Sequence, residues 1–168
     1  MTIGTPLEDA YRRDLTINSL FYNINTNTIE DFTMRGIDDL RNQIIRTPLP
    51  PFETFMEDPL RILRTIRFAT RYGFIIEPSI IQAAKEPDIE NALSRKVSKE
   101  RVGVEVLKMA QGGDFVRSVS LLQEMNIVNS VFNIETDHSL FLRTQKNRSV
   151  EDFDKTIFLI EIPKVFSL

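Results

Sequence analysis

Four arginines recur at helical spacing in the segment "FMEDPLRILRTIRFATRYGF" (55–74): Arg61, Arg64, Arg67 and Arg71. At 100° per residue they fall within an arc of about 120°, whereas Ile62 and Ile66 lie on the opposite side of the predicted helix. No acidic residue lies between the first and the last arginine. The pattern therefore predicts one apolar face in the core and one face of unpaired guanidinium groups, turned to water or to an anion. The structural alternative is that the arginine stems cover apolar surface while their heads pair with distant carboxylates.

Asp58 and Arg61 lie one helical turn apart in "EDPLR" (57–61). The carboxylate accepts hydrogen bonds and the guanidinium donates them, which is the combination needed to bind the Watson–Crick edge of a nucleic-acid base. The simpler interpretation is a helix start, because Asp caps helices and Pro59 suits a first turn.

Arg13 and Asp14 precede the β-branched stretch "LTINSLFYNI" (15–24), which also contains Asn18. At the mouth of a strand a guanidinium can bind phosphate oxygens while a carboxylate accepts from ribose hydroxyls. Because side chains alternate along a strand, Arg13 and Asn18 need not point the same way as Asp14. A solvated charge cluster is the alternative.

Composition excludes several classes of site. The 168-residue chain has a net charge of −3, which argues against a protein that coats nucleic acid by charge alone. It contains no cysteine, and its one histidine, His138 beside Asp137, is expected in a surface loop. No apolar run reaches membrane-spanning length and no signal peptide is recognisable, so the sequence predicts an intracellular protein of the cytoplasm, nucleus or mitochondrion with no membrane partner.

The elements that must position these residues are a hairpin followed by helices. Strands are predicted at 15–24 and 28–32, a proline-rich connector at 46–52, and a helix from Asp58 to about Tyr72 that stops at Gly73. Further helices are predicted at 78–86, 98–111 and 114–125, and "TIFLIEI" (156–162) is typical of a strand.

Together these stretches resemble the class II tRNA nucleotidyltransferases (CCA-adding enzymes) and the bacterial-type poly(A) polymerases over about residues 4 to 130. The matching motifs are "GTPLEDAYRRDLTINSLFYN", "IEDFTMRGIDDLRNQIIRTP", "EDPLRILRTIRFATR" and "SKERVGVEVLKM". "RTPLPPFETF" is similar to the eukaryotic branch of this family.

The resemblance implies a role for each matched position. Asp14 would bind the ribose hydroxyl, and Arg13 would also contact the nucleotide. Asp58 and Arg61 would pair with the incoming cytosine or adenine base. The triphosphate would be held by Arg64 and Arg67. The supporting positions would be Glu57, Asn18, Glu100 and Arg101. The implied partners are ATP, CTP and the tRNA 3′ end.

The metal site of the family is not recognisable in this sequence. The resemblance implies two Mg²⁺ ions held by an Asp-x-Asp pair that follows a Gly-Ser turn upstream of the Arg-Arg-Asp motif, whereas this chain begins at "MTIGTP". Its Asp152-Phe153-Asp154 has no Gly-Ser turn before it, and Glu8 and Asp9 do not replace the pair. We therefore expect an N-terminally truncated relative, with no catalytic or metal-binding residue and no activity alone, although the complete enzyme needs Mg²⁺.

The resulting expectation is an α+β fold in which 1–50 form part of a nucleotidyltransferase head with the strand hairpin, 51–135 form an all-α neck and 136–168 form a tail that matches no identified element of the family. The expected function is CCA addition to tRNA 3′ ends with CTP and ATP. The alternatives are a poly(A) polymerase relative and a non-catalytic nucleotide- or RNA-binding fragment.

Overall fold

The computed structural model describes residues 4–132, in which helices and two small β pairs surround a helix that carries four arginines. The elements are α1 (Pro6–Arg12), a 3-10 turn (Thr16–Asn18), β1 (Leu20–Asn23), β2 (Thr28–Asp31), α2 (Gly36–Asn42), β3 (Ile44–Ile45), α3 (Pro51–Glu57), α4 (Leu60–Tyr72), β4 (Ile75–Ile76), α5 (Pro78–Ala84), α6 (Pro87–Lys96), α7 (Lys99–Gly112), α8 (Phe115–Glu124) and α9 (Val128–Phe132). The predicted α+β class is confirmed, and so are the helices expected at 78–86, 98–111 and 114–125.

Helix α4 is the central element and follows the predicted bounds closely. Its apolar face is fully buried at Ile62 and Ile66. It ends at Gly73, whose φ of 71° places it in the left-handed region that glycine adopts at low cost. At the other end the Asp58 carboxylate accepts a hydrogen bond from the Leu60 backbone N–H at 3.2 Å. The helix start therefore fixes the Asp58 side chain at the point where α3 meets α4.

The predicted hairpin forms, but its first strand begins at Leu20 rather than at Leu15. β1 and β2 pair antiparallel, with Leu20 opposite Asp31. The preceding residues turn instead, because the Thr16 hydroxyl donates to the Asp39 carboxylate at 2.7 Å and packs this segment onto α2. Gly36 allows that approach, since a Cβ there would lie 2.6 Å from the Thr16 carbonyl oxygen.

Helix α1 was not expected, although the sequence contains the capping residues that start it. The Thr5 side chain accepts from the Glu8 N–H while the Glu8 carboxylate accepts from the Thr5 N–H, which is a capping box with Pro6 at the first position. The Arg-Arg-Asp motif consequently lies at the C-terminal end of a helix, and the expectation that it directly precedes a strand is wrong.

A parallel pair joins segments on either side of α4. In it Ile44 lies opposite Ile75 and Ile45 opposite Ile76. Leu15, Ile45 and Phe55 belong to one cluster of buried residues with the apolar face of α4. This packing holds the end of α1, α3 and α4 in fixed relation, which places the charged residues at their ends side by side.

Some sequence-based expectations fall outside residues 4–132: the strand at 156–162, the Asp152–Asp154 pair and the surface loop at His138. Within the described range, none of the helices has the length and apolar character needed to cross a membrane.

Candidate functional site

An open cleft of about 600 Å³ lies where the end of α1 meets the beginnings of α4 and α7. Seven of the ten predicted site residues line it, together with Leu60 and Phe68. These seven are Arg13, Asp14, Asn18, Asp58, Arg61, Arg64 and Arg101. Strand alternation left the relative directions of Arg13, Asn18 and Asp14 open, and the turn after α1 brings all three to the same cleft.

Asp14 is a buried carboxylate with three hydrogen-bond donors around it. Only 6% of the residue is exposed. Oδ1 accepts from the Leu15 N–H at 3.0 Å and from the Asn18 side-chain amide at 3.1 Å, and Oδ2 accepts from Arg64 Nε at 2.6 Å. Since an ionised carboxylate offers about four acceptor positions, one position of Asp14 is left for a ligand.

Arg13 lies at the wall of the cleft and is held on three sides. Its guanidinium pairs with the Asp9 carboxylate at 2.8 Å and donates to the Asn18 carbonyl oxygen at 2.7 Å. It also lies over the Phe21 ring, with 4.6 Å between its Cζ and the ring centroid. These contacts fix the guanidinium in place at the wall of the cleft.

Asp58 and Arg61 are each held by other residues rather than by one another. Asp58 Oδ2 accepts from the Arg101 guanidinium at 3.0 Å, which ties the start of α4 to α7. Arg61 donates to the Glu57 carboxylate at 2.7 Å and to the Arg12 carbonyl oxygen at 2.8 Å. The acceptor and the donor are thus separately oriented toward the cleft.

Arg64 presents free donors to the cleft. Its side chain is 35% exposed, and its Nε is occupied by Asp14. Within residues 4–132 its two Nη groups form no hydrogen bond. A guanidinium fixed at Nε with both Nη groups open is suited to bind an oxyanion such as a phosphate.

Arg67 is not part of this exposed face. Its side chain is only 9% exposed, and its Nε donates to the Glu105 carboxylate on α7 at 2.6 Å. The expectation that this side chain points away from the core is wrong, because α7 supplies a buried carboxylate against this side of α4. Burial acts to raise the pKa of Glu105, but hydrogen bonds from Lys108 and Arg67 and the charges of both outweigh it and leave the pKa below its usual value.

The expectation of four unpaired arginines is likewise wrong, since Arg61, Arg64 and Arg67 each pair with a carboxylate. The partner of Arg61 is four residues earlier in the sequence, so its pairing was readable as an i, i+4 contact. The partners of Arg64 and Arg67 come from distant segments, so nothing in the local sequence indicated these pairings. Arg71 forms no salt bridge within the described part of the chain.

Of the supporting positions, Glu57 pairs with Arg61 and Asn18 donates to Asp14. Glu100 lies outside the cleft, in a neighbouring depression that it lines with Arg101 and Leu60. Phe68 lines the cleft but was not among the predicted site residues. Its position four residues after Arg64, on the same helical face, was the available signal.

Potential metal ligands are not clustered among residues 4–132. No group of three or more His, Cys, Asp or Glu side chains among them could hold a metal ion. Glu8 closes the capping box of α1 and Asp9 pairs with Arg13, so both nearby carboxylates are already engaged. The group of oxygen ligands that Mg²⁺ prefers is thus not found among these side chains.

Comparisons with known proteins find similar sequences of two related kinds. Residues 2–46 match the family model described as the poly A polymerase head domain. The mitochondrial CCA tRNA nucleotidyltransferase of Candida glabrata is 44% identical over 160 residues, which cover 92% of this chain and 30% of that protein. Poly(A) polymerase I of Haemophilus influenzae is 35% identical over 130 residues, which cover 77% of this chain and 28% of that protein.

Solved structures are similar over most of the chain. The Bacillus stearothermophilus CCA-adding enzyme in complex with CTP superposes with a TM-score of 0.72 at 31% identity, covering 81% of this chain and 33% of that one. The chain therefore spans about a third of the length of the relatives it matches.

Proposed function

The chain belongs to the family of CCA-adding tRNA nucleotidyltransferases and poly(A) polymerases, and we propose that it supplies the nucleotide-selecting cleft for CCA addition to tRNA 3′ ends with CTP and ATP. The observation that carries this proposal is the pair of separately held groups at the start of α4: the Asp58 carboxylate, bound by Arg101, and the Arg61 guanidinium, bound by Glu57. They offer an acceptor and a donor at the same cleft.

Base selection follows from the hydrogen-bonding groups of the four bases. Cytosine and adenine both present an exocyclic amino donor beside a ring-nitrogen acceptor on the Watson–Crick edge. Asp58 accepts from the amino group and Arg61 donates to the ring nitrogen. Guanine and uracil present a carbonyl oxygen and a ring N–H at those positions, which opposes acceptor to acceptor and donor to donor. The protein thereby selects C and A without a nucleic-acid template.

Other residues of the cleft bind the triphosphate and the ribose. The open Nη groups of Arg64 bind triphosphate oxygens, and Arg13 adds a second guanidinium at the cleft wall. The remaining acceptor position of Asp14 takes a ribose hydroxyl. The role of Arg67 in the triphosphate site stays a prediction, since its guanidinium pairs with Glu105.

The division into a partial head (1–50), a neck (51–135) and a tail (136–168) is part of the same proposal.

Nucleotide binding and nucleotidyl transfer are separate steps in this proposal. Because residues 4–132 provide no metal ligand set, we expect the chain alone to bind ATP and CTP without adding them to RNA. Incubation with magnesium, labelled ATP and CTP and a tRNA that lacks CCA tests this. Ordered incorporation of C, C and A would contradict the expectation and direct attention to Asp152 and Asp154.

A poly(A) polymerase relative is the second candidate, supported by the family model over residues 2–46. The two functions differ in whether CTP is bound as well as ATP. Equal binding of the two supports CCA addition, whereas binding of ATP alone supports poly(A) addition.

The experiment that tests the selection mechanism is the substitution Asp58→Asn. The amide keeps the size of the carboxylate but can donate, so the variant should lose affinity for ATP and CTP and gain relative affinity for GTP and UTP. The matched control is Asp38→Asn, since Asp38 is an exposed carboxylate paired with Arg41 outside the cleft. An unchanged nucleotide preference in Asp58→Asn would refute the proposed selection.

A further inference from the structure

A row of aromatic rings runs from the cleft to the C-terminal end of α4. Phe68 lines the cleft. The Tyr72 ring lies one turn further along, with 5.9 Å between the two centroids and 17° between the planes, a stacked arrangement. Phe74 follows at 5.6 Å from Tyr72. The stack of Tyr72 on Phe68 therefore connects the proposed nucleotide site with an exposed ring, and Phe74 anchors Tyr72 to the core.

Arginines accompany these rings. The Cζ atoms of Arg67 and Arg64 lie 4.1 and 5.7 Å from the Phe68 centroid, and that of Arg71 lies 6.0 Å from the Tyr72 centroid. Arg71 is exposed and forms no salt bridge within residues 4–132. A cation that lacks a carboxylate partner and lies beside an aromatic ring is available for a phosphate group.

Tyr72 and Phe74 differ in their exposure to solvent. Phe74 is only 9% exposed and packs in the core, whereas Tyr72 remains 50% exposed. The Tyr72 hydroxyl forms no hydrogen bond within the described range. Tyr72 is thus half exposed to solvent, although its ring is stacked on Phe68.

We infer that Tyr72 and Arg71, in continuation of Phe68, bind the unpaired 3′-terminal nucleotides of the RNA substrate. A base stacks on Tyr72 and the adjacent phosphate binds Arg71. Aromatic rings interleaved with cations are the usual means of binding single-stranded nucleic acid, because every base has a face that stacks. Paired bases are already stacked within their duplex and do not offer that face.

Two observations favour this occupant. The row is continuous with the cleft, so a strand lying along it delivers its 3′ end toward the proposed nucleotide site. The charge of the flanking arginines complements a phosphate backbone and offers nothing to an apolar partner. This inference rests on the proposed function, because the cleft defines the end at which the RNA terminus arrives.

The test is fluorescence anisotropy of the 168-residue chain with a labelled, unpaired RNA oligonucleotide, alongside a duplex RNA of the same length. Tyr72→Leu keeps apolar contact with Phe68 but removes the stacking face, whereas Tyr72→Phe retains it. Arg71→Ala removes the exposed cation. Tyr22→Ala is the matched control, because Tyr22 is a 60% exposed tyrosine on the hairpin. Thermal unfolding of each variant checks that it folds.

Tyr72→Leu should weaken binding of the unpaired RNA by roughly five- to 150-fold. Arg71→Ala should also weaken it and reduce its salt dependence, while Tyr72→Phe and Tyr22→Ala stay close to the parent. The inference is overturned if the parent prefers duplex RNA or binds neither RNA, if Tyr72→Leu binds as the parent does, or if Tyr22→Ala loses as much affinity.

Nucleotide titration of the same variants separates this inference from the proposed function. Tyr72→Leu should bind ATP and CTP as the parent does, since Tyr72 does not line the cleft. A parent chain that binds RNA through Tyr72 but shows no preference for ATP and CTP would refute the proposed function and still support the stacking surface.

Discussion

Arg64 Nε donates a hydrogen bond to Asp14 Oδ2 at 2.6 Å, although the two residues are fifty positions apart in the sequence. The contact joins the Arg-Arg-Asp motif at the end of α1 to the outward face of α4. It fixes the Arg64 guanidinium so that its Nη groups remain open to the cleft. The ribose and triphosphate sites that we propose are therefore parts of one hydrogen-bonded unit.

Replacing Arg64 with alanine should reduce ATP affinity by roughly ten- to 100-fold, because charge-assisted hydrogen bonds to the triphosphate are lost. The fold should lose about 1–3 kcal/mol of stability, because the buried Asp14 carboxylate loses its counter-charge but keeps its bonds from Leu15 and Asn18. Isothermal titration calorimetry and urea unfolding measure the two effects. Arg41→Ala, at an exposed position on α2, is the control, and unchanged ATP affinity in Arg64→Ala would contradict the assignment.

Asp14 should give the cleft its preference for ribonucleotides. The parent chain is expected to bind ATP more tightly than 2′-deoxy-ATP, and Asp14→Asn should narrow that difference by lowering ATP affinity more than 2′-deoxy-ATP affinity. Competition titrations with the two nucleotides give the ratio directly. A ratio that does not change on substitution would assign Asp14 to positioning Arg64 alone.

Arg67 and Glu105 should behave as a structural pair. In Glu105→Gln the Arg67 guanidinium, whose side chain is 9% exposed, loses its counter-charge. We expect the free energy of unfolding at neutral pH to fall by about 2–4 kcal/mol, since removing one partner leaves a buried charge uncompensated. Urea unfolding measures this. The control is Asp38→Asn, which removes an exposed ion pair and should leave the free energy of unfolding nearly unchanged. A loss below about 0.5 kcal/mol would show that the pair does not stabilise the fold.

The same carboxylate predicts an acid dependence of stability. The pKa of Glu105 is lowered in the folded state, so its contribution is complete above the unfolded pKa and is lost as the pH falls through the folded pKa. Stability should therefore decline below about pH 5, and the decline should be shallower in Glu105→Gln. Equal slopes for the two proteins in pH-dependent urea unfolding would contradict this.

The hairpin should open more readily than the helical part. β1 and β2 form a two-stranded sheet within the described range, and Ile24 and Ile29 are 78% and 60% exposed. Such hairpins are marginally stable by themselves. We expect limited proteolysis to cut the 1–50 segment first, and amide hydrogens of β1 and β2 to exchange faster than those of α4. Equal protection in both would count against this picture.

The elements with strong local signals were predictable, and the pairings between distant segments were not. Helix α4 was readable from its apolar spacing and from Gly73, because both signals lie within the helix itself. Helix α1 was missed although Thr5 and Glu8 form a capping box, because the helix is only seven residues long and has one buried residue. The burial of Arg67 was beyond local reasoning, since the partner Glu105 is 38 positions away.

The site was predictable to a similar degree. The motifs identified seven of the nine residues that line the cleft, but apart from the Glu57–Arg61 pair neither spacing nor composition showed how each side chain is held. Asp58 depends on Arg101 from α7, and Arg61 depends on the Arg12 carbonyl oxygen from α1. These contacts arise only when the packing of the core brings the three helices together.

The most direct test of the central claim is calorimetric titration of the 168-residue chain with ATP, CTP, GTP and UTP in turn. If Asp58 and Arg61 select the base, ATP and CTP bind with similar affinity, and GTP and UTP bind at least roughly tenfold more weakly, since each opposed donor or acceptor pair costs about 1–3 kcal/mol. Equal affinity for all four nucleotides, or no binding of any, would contradict the account.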